Sequence, residues 1–318
     1  MSSTGRGWWL YGMRLESAVP LPGLPPCDEP ALDRRIAVSF MNRRPPRRTG
    51  AAHYTSPPRG ADGLEVRATI GDAHEFWFGD GTWARISARG DAIDVYTPPT
   101  SSFEDSLSYL YGVLVGFALR LRDVLALHAS VVMLGERAVM FVGASGAGKS
   151  TLAATFALHG HQVITEDVAA LTIEQDGIVA HRGHADVRLW PSAATMLRTP
   201  PLRQATQAWP KLVLPSPLAD GDAMLGRIYL LRAPEAALSE PCTTPLSQGD
   251  ALIGLLPHTY VSHLLRRMDR PCELASLAAL VKIVPVEWLT VPTLPDGFDA
   301  LLDTLERVDG ASVSAGRR

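Results

Sequence analysis

Cysteine is scarce in this sequence. The 318-residue chain has three, Cys27, Cys242 and Cys272, far apart and without a C-x-x-C pair. That spacing excludes a thiolate zinc site and a disulfide framework, and a reducing cytoplasm is the expected compartment. Charge of one sign is missing too: the net charge is −3 and the isoelectric point about 6.3. No global basic field recruits nucleic acid, so none is expected as a partner. Long hydrophobic runs are also absent. The most apolar segment, Leu107 to Leu119, is about 13 residues long, whereas a membrane span needs about 20. The sequence predicts no membrane span, and Leu107–Leu119 is expected to be a buried helix whose solvated end is marked by Arg120, Arg122 and Asp123. The opening residues, Met1 to Leu10, lack the apolar core of a secretory signal.

What is present supports a packed protein. Hydrophobic residues make up 46% of the chain, enough for a sizeable core in one large or two modest domains. The pattern divides it into a β-rich N-terminal region over residues 1–105, a second domain over 106–308 and a disordered tail over 309–318. In the first region Trp8–Leu15 is aromatic and β-prone. Leu64–Ile70, Ala84–Ala88 and, more loosely, Asp91–Tyr96 alternate apolar and polar residues, and Gly79–Gly81 and Arg89–Asp91 supply turns. A small antiparallel sheet is expected. Residues 42–60 contain Asn42-Arg-Arg-Pro-Pro-Arg-Arg and Pro57-Pro-Arg-Gly60. Proline and like charge forbid a packed element there, and no aromatic platform accompanies the arginines, so a solvated loop is expected, with a basic arm that grips an acidic peptide or a nucleic acid as the alternative.

From about Leu127 apolar β-branched runs alternate with helical stretches, which predicts an α/β domain with a largely parallel sheet. Strands are expected at 130–133, 137–142, 162–165, 168–173, 227–231 and 283–291. Helices are expected at 150–159, 252–256, 260–267 and 273–281, the last three divided by Pro257 and Pro271. Phe298, Leu301, Leu302, Leu305 and Val308 fall at helical spacing, with Asp296 where a cap would sit.

The most specific feature is Gly143-Ala144-Ser145-Gly146-Ala147-Gly148-Lys149-Ser150, a complete G-x-x-x-x-G-K-[ST] loop. An apolar run, Arg137–Val142, precedes it and a helix-forming run from Thr151 follows, the context this motif requires. Glycines let successive backbone N–H groups point at a polyphosphate, and the helix N-terminus adds partial positive charge. Lys149 would reach the β- and γ-phosphates, and the Ser150 hydroxyl would ligate Mg²⁺. The residues therefore imply a nucleoside triphosphate and Mg²⁺, with Gly143 through Thr151 as the phosphate-binding set.

Two further features flank the loop. His161-Gln-Val-Ile-Thr-Glu-Asp167 is an apolar strand ending in two carboxylates, where a metal-binding acid is expected at the carboxyl end of an α/β sheet. One carboxylate would serve the metal and the other accept the proton of an attacking hydroxyl; a solvated acidic turn is the alternative. His128 precedes the strand pair that leads into the loop, which makes a structural and a site role about equally open.

Together, His128-Ala-Ser, the loop and His161–Asp167 resemble the catalytic domain of the HPr serine kinase/phosphorylase family. More closely, they resemble the HPr-kinase-like proteins of lasso-peptide clusters, as do Trp9-Leu-Tyr-Gly12, Pro20-Leu-Pro-Gly-Leu24 and Arg188-Leu-Trp-Pro191. The resemblance implies a P-loop kinase domain of the HPr kinase/phosphoenolpyruvate carboxykinase type with a β-rich N-terminal region. It implies transfer of the ATP γ-phosphate to a serine of a peptide or protein, and a homo-oligomer. By position it makes Glu166 the base, places Asp167 with Ser150 at the metal, and puts His128 at the catalytic histidine. Arg188 would contact phosphate or substrate, and Lys211 is a weaker candidate of the same kind. Two departures accompany it. The base position is Glu rather than Asp, and of the second family signature, E-x-R-G-x-G, only an Arg-Gly pair survives in His181-Arg-Gly-His184. HPr as substrate and the reverse reaction are therefore not implied.

Three other functions use some of the same parts. A small-molecule kinase would need no different residues. A transport-type ATPase is hinted at by Leu246-Ser-Gln-Gly-Asp250, but no apolar strand ending in Asp-Glu follows it. A non-catalytic ATP-binding module would not need Lys149, Ser150 and the acidic pair together.

Overall fold

The computed structural model describes residues 6–28, 32–44, 54–55, 67–69, 73–184, 186–200, 202–205, 210–217, 219–233, 238, 240–265, 271–292 and 298–315. Most of the basic segment 42–60 and the Asp296 cap lie outside them. The chain divides into two units. The first comprises residues 1–126, 204–211 and 260–269, and the second 127–203, 212–259 and 270–318.

The first unit begins with β1 (Arg6–Leu10) and β2 (Met13–Ser17), an antiparallel pair. Tyr11 and Gly12 join them at φ 56° and 72°, the positive values that a two-residue turn needs to match strand twist. There follow β3 (Arg35–Met41), β4 (Tyr54–Thr55), β5 (Arg67–Thr69), β6 (Ala73–Trp77), β7 (Trp83–Ser87) and β8 (Ala92–Tyr96). They form one sheet in the order β1-β2-β3-β8-β7-β6-β5-β4. The expected antiparallel sheet is in fact mixed, because β3 pairs parallel with both β2 and β8. Parallel neighbours need a long crossover rather than a hairpin, and residues 18–34 supply one between β2 and β3.

Helix α1 (Phe103–Tyr109) starts at a capping box: Ser102 accepts from the Asp105 backbone and Asp105 returns a bond to the Ser102 N–H. A π-helical turn (Leu110–Leu114) leads into α2 (Val115–Leu121). Phe117 of α2 packs edge-on against Phe76 and His74 of β6. That packing is why residues 106–126 belong with the sheet and not, as the sequence division at residue 105 has it, with the second unit. Arg120 is another correction. It does not mark a solvated end but is buried, donating from Nη1 to the Tyr260 carbonyl at 2.6 Å. The hydrogen bond satisfies the guanidinium where the pattern alone suggests water.

The second unit takes up most of β9 (Leu125–Leu134), then β10 (Arg137–Val142), α3 (Lys149–Leu158), β11 (Val163–Thr165), β12 (Val168–Glu174) and β13 (Gly177–Ala180). Next come β14 (Val187–Leu189), α4 (Pro191–Met196), β15 (Arg203–Gln204), β16 (Leu212–Leu214), β17 (Ala223–Leu231), β18 (Cys242–Pro245) and α5 (Gln248–Leu255). A 3₁₀ turn (Leu256–His258) precedes α6 (Ser262–Leu265) of the first unit, and α7 (Pro271–Ile283), β19 (Val286–Thr290) and α8 (Phe298–Ala315) complete the second. Its main sheet runs β10-β9-β12-β13-β17-β19-β18, with β11 on β9 and β10 also on β17.

The expected largely parallel sheet is mixed. Only β10–β17 and β17–β19 are parallel among the described pairings, while β9–β10, β9–β11, β12–β13, β13–β17 and β18–β19 are antiparallel. Short turns such as Gly135-Glu136 after β9 and Gln175-Asp176 after β12 return the chain directly, so hairpins replace helical crossovers. Ile283 ends α7 instead of opening a strand, and residues 309–315 of the expected tail continue α8. Helix α3 lies on the sheet through Leu152 and Phe156, buried with Val132, Phe141, Tyr229, Leu301 and Leu305. A buried ion pair, Arg227–Glu287, links β17 to β19. Among the described residues no helix is long and apolar enough to cross a membrane.

Candidate functional site

Register alone places the first two parts of the site together. Val142 ends β10 opposite Ala129 of β9. One step further, Gly143 opens the loop beside His128. The loop then turns onto α3 through Gly146 and Gly148, at φ 85° and 101°, values that L side chains rarely adopt. Gly148 is the N-cap of α3 and gives it no side-chain hydrogen bond. The first N–H groups of this 10-residue helix are thus left for an anion.

Lys149 is buried, and its Nζ donates to the carbonyls of Gly143 (2.8 Å) and Ala144 (3.0 Å). The ammonium is thereby folded across the mouth of its own loop. Ser150 Oγ donates to Glu166 Oε1 at 2.6 Å, and Glu166 is itself buried.

The acidic pair sits in a tight bend between β11 and β12. Thr165 Oγ1 donates to the Val168 carbonyl at 2.7 Å, and the Val168 N–H donates to the Glu166 carbonyl at 3.0 Å. Asp167 at the centre has φ 74°, a left-handed conformation that costs a non-glycine residue of order 1 kcal/mol or more. This bend gives the two adjacent carboxylates different partners. Glu166 meets Ser150, and Asp167 meets His128, whose Nδ1 lies 3.0 Å from Asp167 Oδ1 and 3.1 Å from the Asp167 carbonyl. Burial alone would depress the His128 imidazole. The hydrogen bond and charge of Asp167 outweigh it, Lys149 opposes them in part, and the pKa lies above the ordinary histidine value.

His128, the loop through Thr151, Glu166 and Asp167 are therefore one cluster. Arg188 is not shown to join it. It lies on β14 opposite Val213, and its charge acts on His184. Lys211 belongs to the first unit. His181-Arg-Gly-His184 is tied down elsewhere: His181 Nδ1 meets Asp222 Oδ2 and its Nε2 meets Thr172 Oγ1, each at 2.6 Å, while the Gly183 N–H donates to the Ile164 carbonyl of β11. Leu246–Asp250 is the start of α5, with Ser247 as its N-cap accepting from the Asp250 N–H; capping accounts for that motif.

Sequence reasoning missed one residue near the cluster. Leu127 forms an antiparallel bridge with Thr259, which brings His258 beside His128. Burial, then the charges of Lys149 and His128, push the His258 pKa down. Only a long-range pairing reveals it.

No protein-family model matches the sequence, and no curated protein is similar to it. Among solved structures, the HPr(Ser) kinase/phosphatase from Coxiella burnetii is similar over 59% of this chain and 98% of that chain, at 14% identity and a TM-score of 0.34.

Proposed function

We propose that this protein is an ATP-dependent kinase that transfers the γ-phosphoryl group to a hydroxyl, with a serine of a peptide or protein as the acceptor class. The observation that carries the reading is the joining of Ser150 to Glu166 beside the Asp167–His128 pair. A loop that merely held Mg²⁺–nucleotide would use one carboxylate at the metal and would not need a second one paired with a histidine.

The residues fit ATP and Mg²⁺. The uncapped α3 N-terminus and the left-handed glycines suit a polyphosphate, and Lys149 is close enough to its own loop to exchange carbonyls for phosphate oxygens. Ser150 and Glu166 would hold Mg²⁺ together with phosphate oxygens, supplying neutralising charge at the transferred group.

With these contacts as support, the reading takes the carboxylates in the reverse of the order that the resemblance implies. Glu166, on Ser150, serves the metal side. Asp167 is the base: it would accept the acceptor hydroxyl's proton, while His128 holds its carboxylate in place and stabilises its charge. Lys149 and the loop N–H groups stabilise charge on the group in transit. Incubation with ATP–Mg²⁺ and a panel of serine-containing peptides should yield phosphopeptide by mass spectrometry. Release of free phosphate alone would reduce the protein to an ATPase.

A further inference from the structure

We propose that His258 is a further phosphate-contacting residue of this site, one that donates a hydrogen bond to the terminal phosphoryl group of bound nucleoside triphosphate. The inference rests on the kinase reading only as far as nucleotide binding at the loop.

Two geometric observations converge on His258. The Leu127–Thr259 bridge is antiparallel, and the Tyr260 N–H donates to the Ala126 carbonyl at 2.8 Å. Both contacts have one register, in which the residue facing His128 is His258. His258, the last residue of the 3₁₀ turn, thus sits next to His128, at the end of β9 that adjoins Val142 and the start of the loop. Its electrostatic environment agrees, since Lys149 and His128 are the two charges that act on it.

The placement is held firmly. The 3₁₀ turn Leu256–His258 closes with Thr259, whose N–H and Oγ1 both donate to the Leu256 carbonyl. A half-buried imidazole on such a fixed turn serves as a preorganised donor. An imidazole has an N–H to donate in either protonation state, and in the neutral form it does so without adding a full charge to a site that already holds Lys149.

The test is a selectivity measurement that needs no acceptor. Affinities of the full chain for ATP–Mg²⁺ and ADP–Mg²⁺ are measured by titration calorimetry for wild type, His258→Ala and His258→Gln, with melting temperatures as a control on folding. His258→Ala should weaken ATP about tenfold while leaving ADP within about twofold, and His258→Gln, which keeps a donor, should recover part of the loss. Equal weakening of both nucleotides, or no change in either, overturns the inference and leaves the nucleotide site intact. If wild type binds neither nucleotide, the kinase reading fails first and this one with it. Should His258→Ala not fold, the more conservative glutamine variant carries the test: its ATP-to-ADP affinity ratio must then fall measurably, and an unchanged ratio overturns the inference.

Discussion

Ser150 and Glu166 are joined by a 2.6 Å hydrogen bond from Oγ to Oε1. They are 16 residues apart in sequence and sit on different elements, one in the first turn of α3 and the other in the bend after β11. The contact places a buried carboxylate on the hydroxyl that the loop motif assigns to a divalent cation, and it yields the first prediction. Glu166→Gln keeps the shape but removes the charge. Since bonds to charged groups contribute about 1.5–3 kcal/mol, the Mg²⁺ concentration for half-maximal phosphoryl transfer should rise at least tenfold. Nucleotide affinity without Mg²⁺ should stay within about twofold. An unchanged Mg²⁺ requirement would remove Glu166 from the metal side.

Lys149 is held across the loop by two carbonyls. Lys149→Met should lower the rate of transfer by about 10²–10³, the usual consequence of losing one preorganised donor at developing charge. Circular dichroism and melting temperature should stay close to wild type. Retention of full turnover would contradict the phosphate role.

The His128–Asp167 pair predicts a pH dependence. The His128 pKa is raised in the folded state, so the native protein binds that proton more tightly than the unfolded chain. Its stabilisation is complete below pH about 6.5, the unfolded value, and is lost as pH rises through the folded pKa. Urea unfolding between pH 5.5 and 8.5 should show this loss in wild type and a flatter profile in Asp167→Asn.

His184 predicts the opposite slope. Burial, opposed by Asp186 but aided by the Arg188 and Arg203 cations, pushes its pKa down to about 4. Between pH about 6.5 and 4 the unfolded chain binds the proton first, so stability falls as pH falls through that range. His184→Gln should remove this part of the acid sensitivity, as measured by urea unfolding at pH 4 to 7.

Arg227 and Glu287 form a buried ion pair between the parallel strands β17 and β19. Glu287→Ala would leave the guanidinium uncompensated and should destabilise the protein by about 3–5 kcal/mol, whereas Arg227→Met with Glu287→Leu should restore much of the loss. Chemical denaturation distinguishes the two. Equal destabilisation by the single and double variants would mean that packing, not charge, sets the cost.

The sequence by itself determined the parts whose signals are local. Glycines at fixed offsets, an apolar strand before them and helix formers after them specify β10, the loop and α3, because backbone conformation over about ten residues follows from nearest neighbours. The acidic ends of Val163–Thr165 and the periodicity of α8 were legible for the same reason. Tertiary structure alone decided the rest. Whether β3 pairs parallel or antiparallel, and whether residues 106–126 side with the first sheet, depends on contacts between distant segments such as Phe117 with Phe76. The partners of the two carboxylates depend on a left-handed Asp167 that no pattern announces. His258 meets His128 only through a bridge spanning more than a hundred residues. Charge and hydrogen-bond partners are properties of distance in space, and chain proximity reports that distance only within a turn or a hairpin.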